Sequence, residues 1–442
     1  MERTLMSRLL QWQSDPQRKP LLLRGPRQVG KTWLLRRFGS DAYENTVYVN
    51  FEADRRIGSL FDDSTDVNRL IHYLTVAMRE PITPGATLLI LDEIQECNAA
   101  LNALKYFCED APRIHVAAAG SLLGVALSRP GAFPVGKVDF LDLEPLTFSE
   151  YLSATGHGEL RSLLDSITSL TPLPEVFAEA LTQELAGYFI VGGMPEAVAR
   201  FAAGCDLEDV ARVQGAILDA YRLDAARHAP GTEVQKIGHL WDSIPAQLAR
   251  ANKKFLYGAA REGARARGYE NALHWLAETR AVSRVERCTV PAPPLAACVD
   301  PSAFKLYLYD TGLLSRHARF DPGLLIEPAA PFDVLRGALT ENYVLQSLRA
   351  QFEQPICYWT SGGEAEVDFV VQRGGEVLPI EAKARVNVRA KSLAVFRQKY
   401  KPRVAVRTSL RNLQFRDGLL DLPLYMADHL DRLVDAALGM VV

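Results

Sequence analysis

An apolar run, Leu21-Leu22-Leu23, leads through Arg24 into Gly25-Pro26-Arg27-Gln28-Val29-Gly30-Lys31-Thr32, and Trp33-Leu34-Leu35-Arg36-Arg37-Phe38 follows with helical spacing. Strand, glycine-bounded loop and helix in immediate succession restrict this part of the chain to a parallel α/β fold with a phosphate-holding turn. The glycines let the backbone N–H groups of residues 25–32 curl round phosphate oxygens. Lys31 brings a positive charge to the β/γ-phosphates, and the Thr32 hydroxyl suits Mg²⁺. These residues, Gly25 to Thr32, are the expected ATP or GTP cradle.

A second run, Thr87-Leu88-Leu89-Ile90-Leu91, ends in Asp92-Glu93. It reads as a buried parallel strand carrying two carboxylates to its tip. Phosphoryl transfer needs positioning and charge neutralisation more than covalent help, so Asp92 is expected in the Mg²⁺ shell and Glu93 on the attacking water. A third strand-like run, Ile114-His115-Val116-Ala117-Ala118-Ala119, ends at Gly120-Ser121. Ser121 is placed to sense the γ-phosphate, although a plain strand-to-loop turn accounts for the same residues.

At 442 residues, the chain is long enough for two or three domains, each with its own core. No apolar stretch of about 20 residues is present to span a membrane, and Met1-Glu2-Arg3-Thr4-Leu5 carries charge where a signal peptide needs an apolar segment, so the expected compartment is the cytoplasm. The six cysteines lack CxxC spacing, which points to buried thiols and away from a zinc site or disulfide framework. With a formal net charge of -3, any nucleic-acid contact must come from a local patch.

Four segments follow from the periodicity. Residues 1–151 alternate strand and helix, with Thr46 to Phe51 as a further strand, and form an α/β domain. Residues 152–231 are helical, interrupted at Thr171-Pro172-Leu173-Pro174 and at Gly192-Gly193-Met194-Pro195. Residues 232–316 give short amphipathic helices and a β-prone hairpin, which together suggest a winged helix. Between Pro245 and Arg287 there are nine Lys/Arg and four Glu. Arg250, Lys253, Lys254, Arg261, Arg265 and Arg267 are candidates for a phosphate backbone, or equally for a solvated face.

Residues 317–442 hold a second candidate site. Glu366-Val367-Asp368-Phe369 and Ile380-Glu381-Ala382-Lys383 read as neighbouring strands, so Glu381 and Lys383 share a face and meet Asp368. Glu341, on a helix-like segment, leans over the same sheet. An Asp, a Glu and a Lys so placed can bind Mg²⁺ through Asp368 and Glu381, activate water and stabilise charge on a phosphodiester. This is the PD-(D/E)xK nuclease arrangement, in which Glu341, Asp368, Glu381 and Lys383 are the expected catalytic group.

Ordered matches now extend over nearly the whole chain. Besides Gly25 to Thr32 and Leu91-Asp92-Glu93-Ile94-Gln95, they include Gly120-Ser121, Phe133 to Val138, Pro145 to Tyr151, Gly192 to Val198, Ile244 to Leu248, Asn252 to Phe255, Phe304 to Leu314, Glu366 to Phe369 and Glu381 to Lys383. In these the sequence resembles the AAA-type (AAA_14-like) ATPases with a C-terminal DUF4143 region. The resemblance implies an N-terminal P-loop NTPase with a parallel sheet, a helical and winged-helix middle, and a C-terminal restriction-endonuclease-like α/β domain. It implies ATP and Mg²⁺ as cofactors, and a cation completing the site, for which Lys137, Arg129 and Arg113 are candidates in that order. A homo-oligomer would supply such a group across an interface. The expected function is Mg²⁺-dependent ATP hydrolysis coupled to a nucleic-acid-directed domain, cutting DNA or, alternatively, serving a catalytically silent switch or regulator that binds DNA or a protein partner.

Overall fold

The computed structural model describes residues 1–62, 66–122, 124, 136–250, 253–320, 333–353, 355–363, 365–385 and 391–441. They fall into two compact units, one of residues 2–143 with 278–281, the other essentially of residues 144–277 and 282–442.

In the first unit, β1 (Leu21–Arg24), β2 (Asn45–Asn50), β3 (Thr87–Asp92), β4 (His115–Ala119) and β5 (Asp139–Asp142) form an all-parallel sheet in the order β2-β3-β4-β1-β5. Side chains alternate across it with period two. Leu22, Val47, Val49, Leu89, Leu91 and Val116 join the core on one face. Leu21, Leu23, Leu88, Ile90, Ala117 and Ala119 join the core on the other. Helices cover both faces, which is why the inner strands β1, β3 and β4 carry continuous apolar runs. Leu9 and Trp12 of α1 (Leu5–Ser14) and Leu34, Leu35 and Phe38 of α2 (Lys31–Ala42) pack on the second face. Leu70 and Leu74 of α3 (Val67–Met78) and Leu101, Leu104 and Phe107 of α4 (Asn98–Asp110) pack on the first. Because β1 lies between β4 and β5, the loop leaving its C-terminal end opens where the strand order reverses, the usual place for a ligand in such sheets.

The second unit begins with helices, among them α5 (Glu175–Val191), α6 (Leu207–His228), α7 (Gly231–Leu248) and α8 (Ala266–Glu278). The break at Gly192 has a steric cause. Gly192 sits at φ 73°, and a Cβ there would lie 2.3 Å from Asp310 Oδ1, while one on Gly193 would lie 2.2 Å from the Leu146 carbonyl oxygen. Pro195 then starts the helix Pro195–Ala202 at a position where no backbone N–H is needed.

An eight-stranded mixed sheet follows. Its strands are β6 (Val282–Cys288), β7 (Val299–Leu308), β8 (Cys357–Thr360), β9 (Glu366–Arg373), β10 (Glu376–Ala382), β11 (Ala405–Ser409), β12 (Gln414–Arg416) and β13 (Leu419–Pro423), in the order β12-β13-β11-β10-β9-β8-β6-β7. The hairpin β6–β7, expected as the wing of a separate winged helix, is therefore the edge of this sheet. The reason is the parallel pairing of Glu286, Arg287 and Cys288 with Cys357, Tyr358 and Trp359. Segments 232–316 and 317–442 thus share one sheet. The helix α9 (Asp333–Gln351), between β7 and β8, and the helix α10 (Lys391–Tyr400), between β10 and β11, contact β10.

Candidate functional sites

The phosphate loop is shaped by backbone geometry. Gly30 adopts φ 94° and Gln28 φ 61°, and a Cβ on Gly25 would lie 2.4 Å from the Leu143 carbonyl oxygen. Only glycine accepts that approach without moving a backbone. Lys31 opens α2 and is buried, its ammonium donating to the carbonyl oxygens of Gly25 (2.9 Å) and Pro26 (2.8 Å). Burial pushes this ammonium down to about 8, against the pull of Glu93 and Asp92. Arg280 and Arg27 push it the same way as burial.

Asp92 ends β3, and its Oδ2 accepts from the Thr32 hydroxyl at 2.8 Å and the Tyr48 hydroxyl at 2.7 Å. Glu93 takes a left-handed conformation, φ 49°, which carries its carboxylate out of line with the strand. Its Oε2 accepts from Gln95 Nε2 (2.6 Å), Ser121 Oγ (3.2 Å) and the Ser121 backbone N–H (3.3 Å). Ser121 therefore meets the expected water-orienting carboxylate. The hydroxyl of Thr32 and the carboxylate of Asp92 are the oxygen donors Mg²⁺ prefers, so this donor set fits the ion.

Of the candidate completing cations, Lys137 pairs with Glu109 of α4 at 2.8 Å. Arg113 contributes its carbonyl oxygen to the Gly85 backbone N–H. Arg129 lies outside the described residues. Arg280 is a cation that the sequence does not point to. Its guanidinium binds Asp142 Oδ1 at 2.7 Å, and Arg24 holds the same oxygen at 2.8 Å. Burial pushes the Asp142 carboxyl up, but Arg280 first and Arg24 next outweigh it and leave it below the usual carboxylate range. Arg280 follows a helix end, Glu278-Thr279, with no motif to mark it.

The second site assembles in the eight-stranded sheet. Ile380 pairs with Phe369, so the next ladder step brings Glu381 opposite Asp368. Lys383 Nζ lies 2.5 Å from Glu381 Oε1 and 3.8 Å from Asp368 Oδ2, which also accepts from the Ala382 backbone N–H at 2.9 Å. Glu341 on α9 accepts from Tyr307 at 2.9 Å and pairs with Lys253. The four expected residues do converge. Three groups join them that sequence reasoning did not place there: Lys253, Glu366 and Lys305. Lys253, read above as a phosphate-backbone candidate, is thus engaged inside the protein. Lys305 is 0% exposed, with its Nζ 2.5 Å from Glu366 Oε1, 3.8 Å from Glu341 Oε2 and 3.9 Å from Asp368 Oδ1.

The electrostatics follow from burial and crowding. Burial, then repulsion from Glu341 and Glu381, pushes the Asp368 carboxyl up to about 8, against Lys383 and Lys305. Burial also raises Glu381, against Lys383. Glu341 is held down to about 2 because Lys253 and Lys305 overcome the cost of its burial. Four carboxylates thus face three ammonium groups, and the excess of negative charge adds to burial in raising Asp368. Within this cluster Glu381 Oε2 is buried without a hydrogen-bond partner. Among the described residues no group of three or more His, Cys, Asp or Glu is arranged to hold a metal ion. The Asp368–Glu381 donor set, tied up by lysines, does not fit the Mg²⁺ expected there.

Residues 17–152 match the AAA domain family AAA_14, residues 182–323 a domain of unknown function, DUF8612, and residues 336–426 a domain of unknown function, DUF4143. No curated protein matches the chain. Among solved structures, the chain is similar to the Walker-type ATPase PABY2304 of Pyrococcus abyssi, with 15% identity and TM-score 0.44 over 72% of this chain and 95% of that one. Similarity to the Thermotoga maritima RuvB Holliday junction branch migration motor has 18% identity and TM-score 0.27, covering 60% and 82% of the two chains. For Cdc6p from Pyrobaculum aerophilum the values are 15%, 0.26, 72% and 90%. No helix among the described residues is long and apolar enough to cross a membrane. The chain carries an AAA-type P-loop ATPase domain and a DUF4143 domain.

Proposed function

We propose that this chain is an Mg²⁺-dependent ATP hydrolase whose C-terminal sheet is a restriction-endonuclease-like core neutralised by its own lysines, so that nucleotide turnover works a switch and not a cut. The observation that carries the ATPase reading is the bonded set Thr32–Asp92 and Glu93–Ser121 beside Lys31. On this reading the loop N–H groups and Lys31 hold the phosphates, and Thr32 and Asp92 would hold Mg²⁺, which would supply charge neutralisation for phosphoryl transfer. Glu93 orients the attacking water, with Ser121 fixing its carboxylate. Arg280 adds positive charge in the same unit, and a second copy of the chain would bring a further cation.

The silent-core reading is favoured over a coupled nuclease by Lys305 and Lys253, which are additional to the expected Asp–Glu–Lys set and engage Glu366, Asp368 and Glu341. The convergence of Asp368, Glu381 and Lys383 supports the nuclease-like ancestry of the core and keeps nucleic acid as the partner to test. Exposed Arg261, Arg265 and Arg267 are the phosphate-facing candidates. Phosphate release with and without single- and double-stranded DNA tests the proposal, with strand integrity read in the same tubes. Turnover with intact DNA supports the switch, and Mg²⁺-dependent cutting lost in Asp368→Ala supports the nuclease.

A further inference from the structure

The second half of β7 reads Ala303-Phe304-Lys305-Leu306-Tyr307-Leu308, and every one of these side chains is buried. A charged group in such a position persists only where opposite charge compensates it. Lys305 meets that compensation at one point, where Glu366 and Asp368 from β9 and Glu341 from α9 converge on its Nζ. Glu366 and Asp368 lie two apart on their strand and so face the same side. The lysine comes from a strand at the sheet edge, distant in sequence from all three acids.

We propose that the Lys305 ammonium is the resident cation of this acid cluster and keeps divalent ions out of it, so that the cluster accepts Mg²⁺ or Mn²⁺ only once that ammonium is removed. The inference rests on the silent-core reading above. A divalent ion binds carboxylate oxygens at about 2.0–2.6 Å. Nζ already lies 2.5 Å from Glu366 Oε1 and within 3.9 Å of Glu341 Oε2 and Asp368 Oδ1, so an ion drawn to these oxygens would come close to the ammonium, and two cations within about 4 Å repel strongly in a dry interior. Lys253 and Lys383 engage the flanking oxygens, Glu341 Oε1 and Glu381 Oε1. The buried Glu381 Oε2, without a partner, is an additional oxygen that an ion could recruit after Lys305 is lost.

The test is Mn²⁺ uptake by the full chain without nucleotide, read from the electron paramagnetic resonance signal of free Mn²⁺. Wild type, Asp368→Asn, Lys305→Met and Lys305→Met/Asp368→Asn are compared. The proposal expects superimposable titrations for wild type and Asp368→Asn. It expects Lys305→Met to gain a Mn²⁺ site at least about tenfold tighter than anything in wild type, lost again in the double variant. A wild-type Mn²⁺ equivalent that Asp368→Asn removes would overturn it, as would a folded Lys305→Met chain with no added uptake. Should Lys305→Met fail to fold, the comparison of wild type with Asp368→Asn decides alone. Mg²⁺-dependent DNA cutting by wild type overturns the silent-core reading, whereas Asp368-dependent Mn²⁺ uptake without cutting overturns this inference alone.

Discussion

Thr32 and Asp92, sixty residues apart in the chain, are joined by a hydroxyl-to-carboxylate hydrogen bond of 2.8 Å. That bond ties the first turn of α2 to the tip of β3 and brings together the two oxygen donors expected around Mg²⁺. Lys31 and Glu93 stand next to them in sequence, so the phosphate-binding and water-orienting groups are fixed by the same two elements.

Lys31→Ala should weaken ATP affinity by about 100-fold, because a charge-assisted contact is lost in a buried cradle. Equilibrium binding of a fluorescent ATP analogue measures it. Affinity within about threefold of wild type would remove Lys31 from the phosphate site.

Glu93→Gln should leave ATP bound while slowing hydrolysis by about 100-fold or more, since the amide cannot take the proton of the attacking water. Ser121→Ala should slow turnover less, because Gln95 still holds the same carboxylate oxygen. Single-turnover phosphate release separates these two effects from binding.

Arg280 lies close enough to Lys31 to push its ammonium down, and it binds Asp142 at the end of β5. Arg280→Ala should lower ATP affinity or turnover by about tenfold, with Arg280→Lys recovering part of the loss because the charge returns without the forked geometry. Equal defects in the two variants would show that shape alone matters there.

His115, buried in β4, bonds the Tyr43 hydroxyl at 2.7 Å, and burial, with Arg18 adding repulsion, lowers it to about 4. A histidine whose folded value is depressed contributes stability that is present above its unfolded value of 6.5 and is lost as pH falls from there towards 4. By about pH 5 the loss should reach roughly 2 kcal/mol. Chemical unfolding of wild type and His115→Gln between about pH 7.5 and 5 checks it. The wild type should lose stability faster, and parallel curves would contradict the assignment.

Gly192→Ala should destabilise the second unit by about 2 kcal/mol or more. The new methyl would sit in a left-handed backbone and against Asp310 Oδ1. Thermal unfolding reads this directly, and an unchanged midpoint would mean that the turn relaxes freely.

The N-terminal sheet was legible because a parallel strand covered on both faces leaves an unbroken apolar run, and because Gly25 and Gly30 mark a turn that tolerates little else. Asp368, Glu381 and Lys383 were legible from strand alternation. The placement of β6–β7 was not, since a hairpin following helices reads the same whether it ends a winged helix or edges a sheet, and the pairing of Glu286 with Cys357 is non-local. Lys305 does leave a signal in the sequence, a single charge in the apolar run from Ala303 to Leu308. Arg280 leaves none, because what makes it relevant is Asp142, brought near by the fold.

The central claim is tested most directly by Mg²⁺-dependent phosphate release from ATP by wild type and Glu93→Gln, each incubated with duplex DNA whose integrity is read in the same tubes. The account predicts release by wild type, a drop of about 100-fold in Glu93→Gln, and intact DNA in both. Equal release by the two proteins, no release by either, or Mg²⁺-dependent cutting by wild type would contradict it.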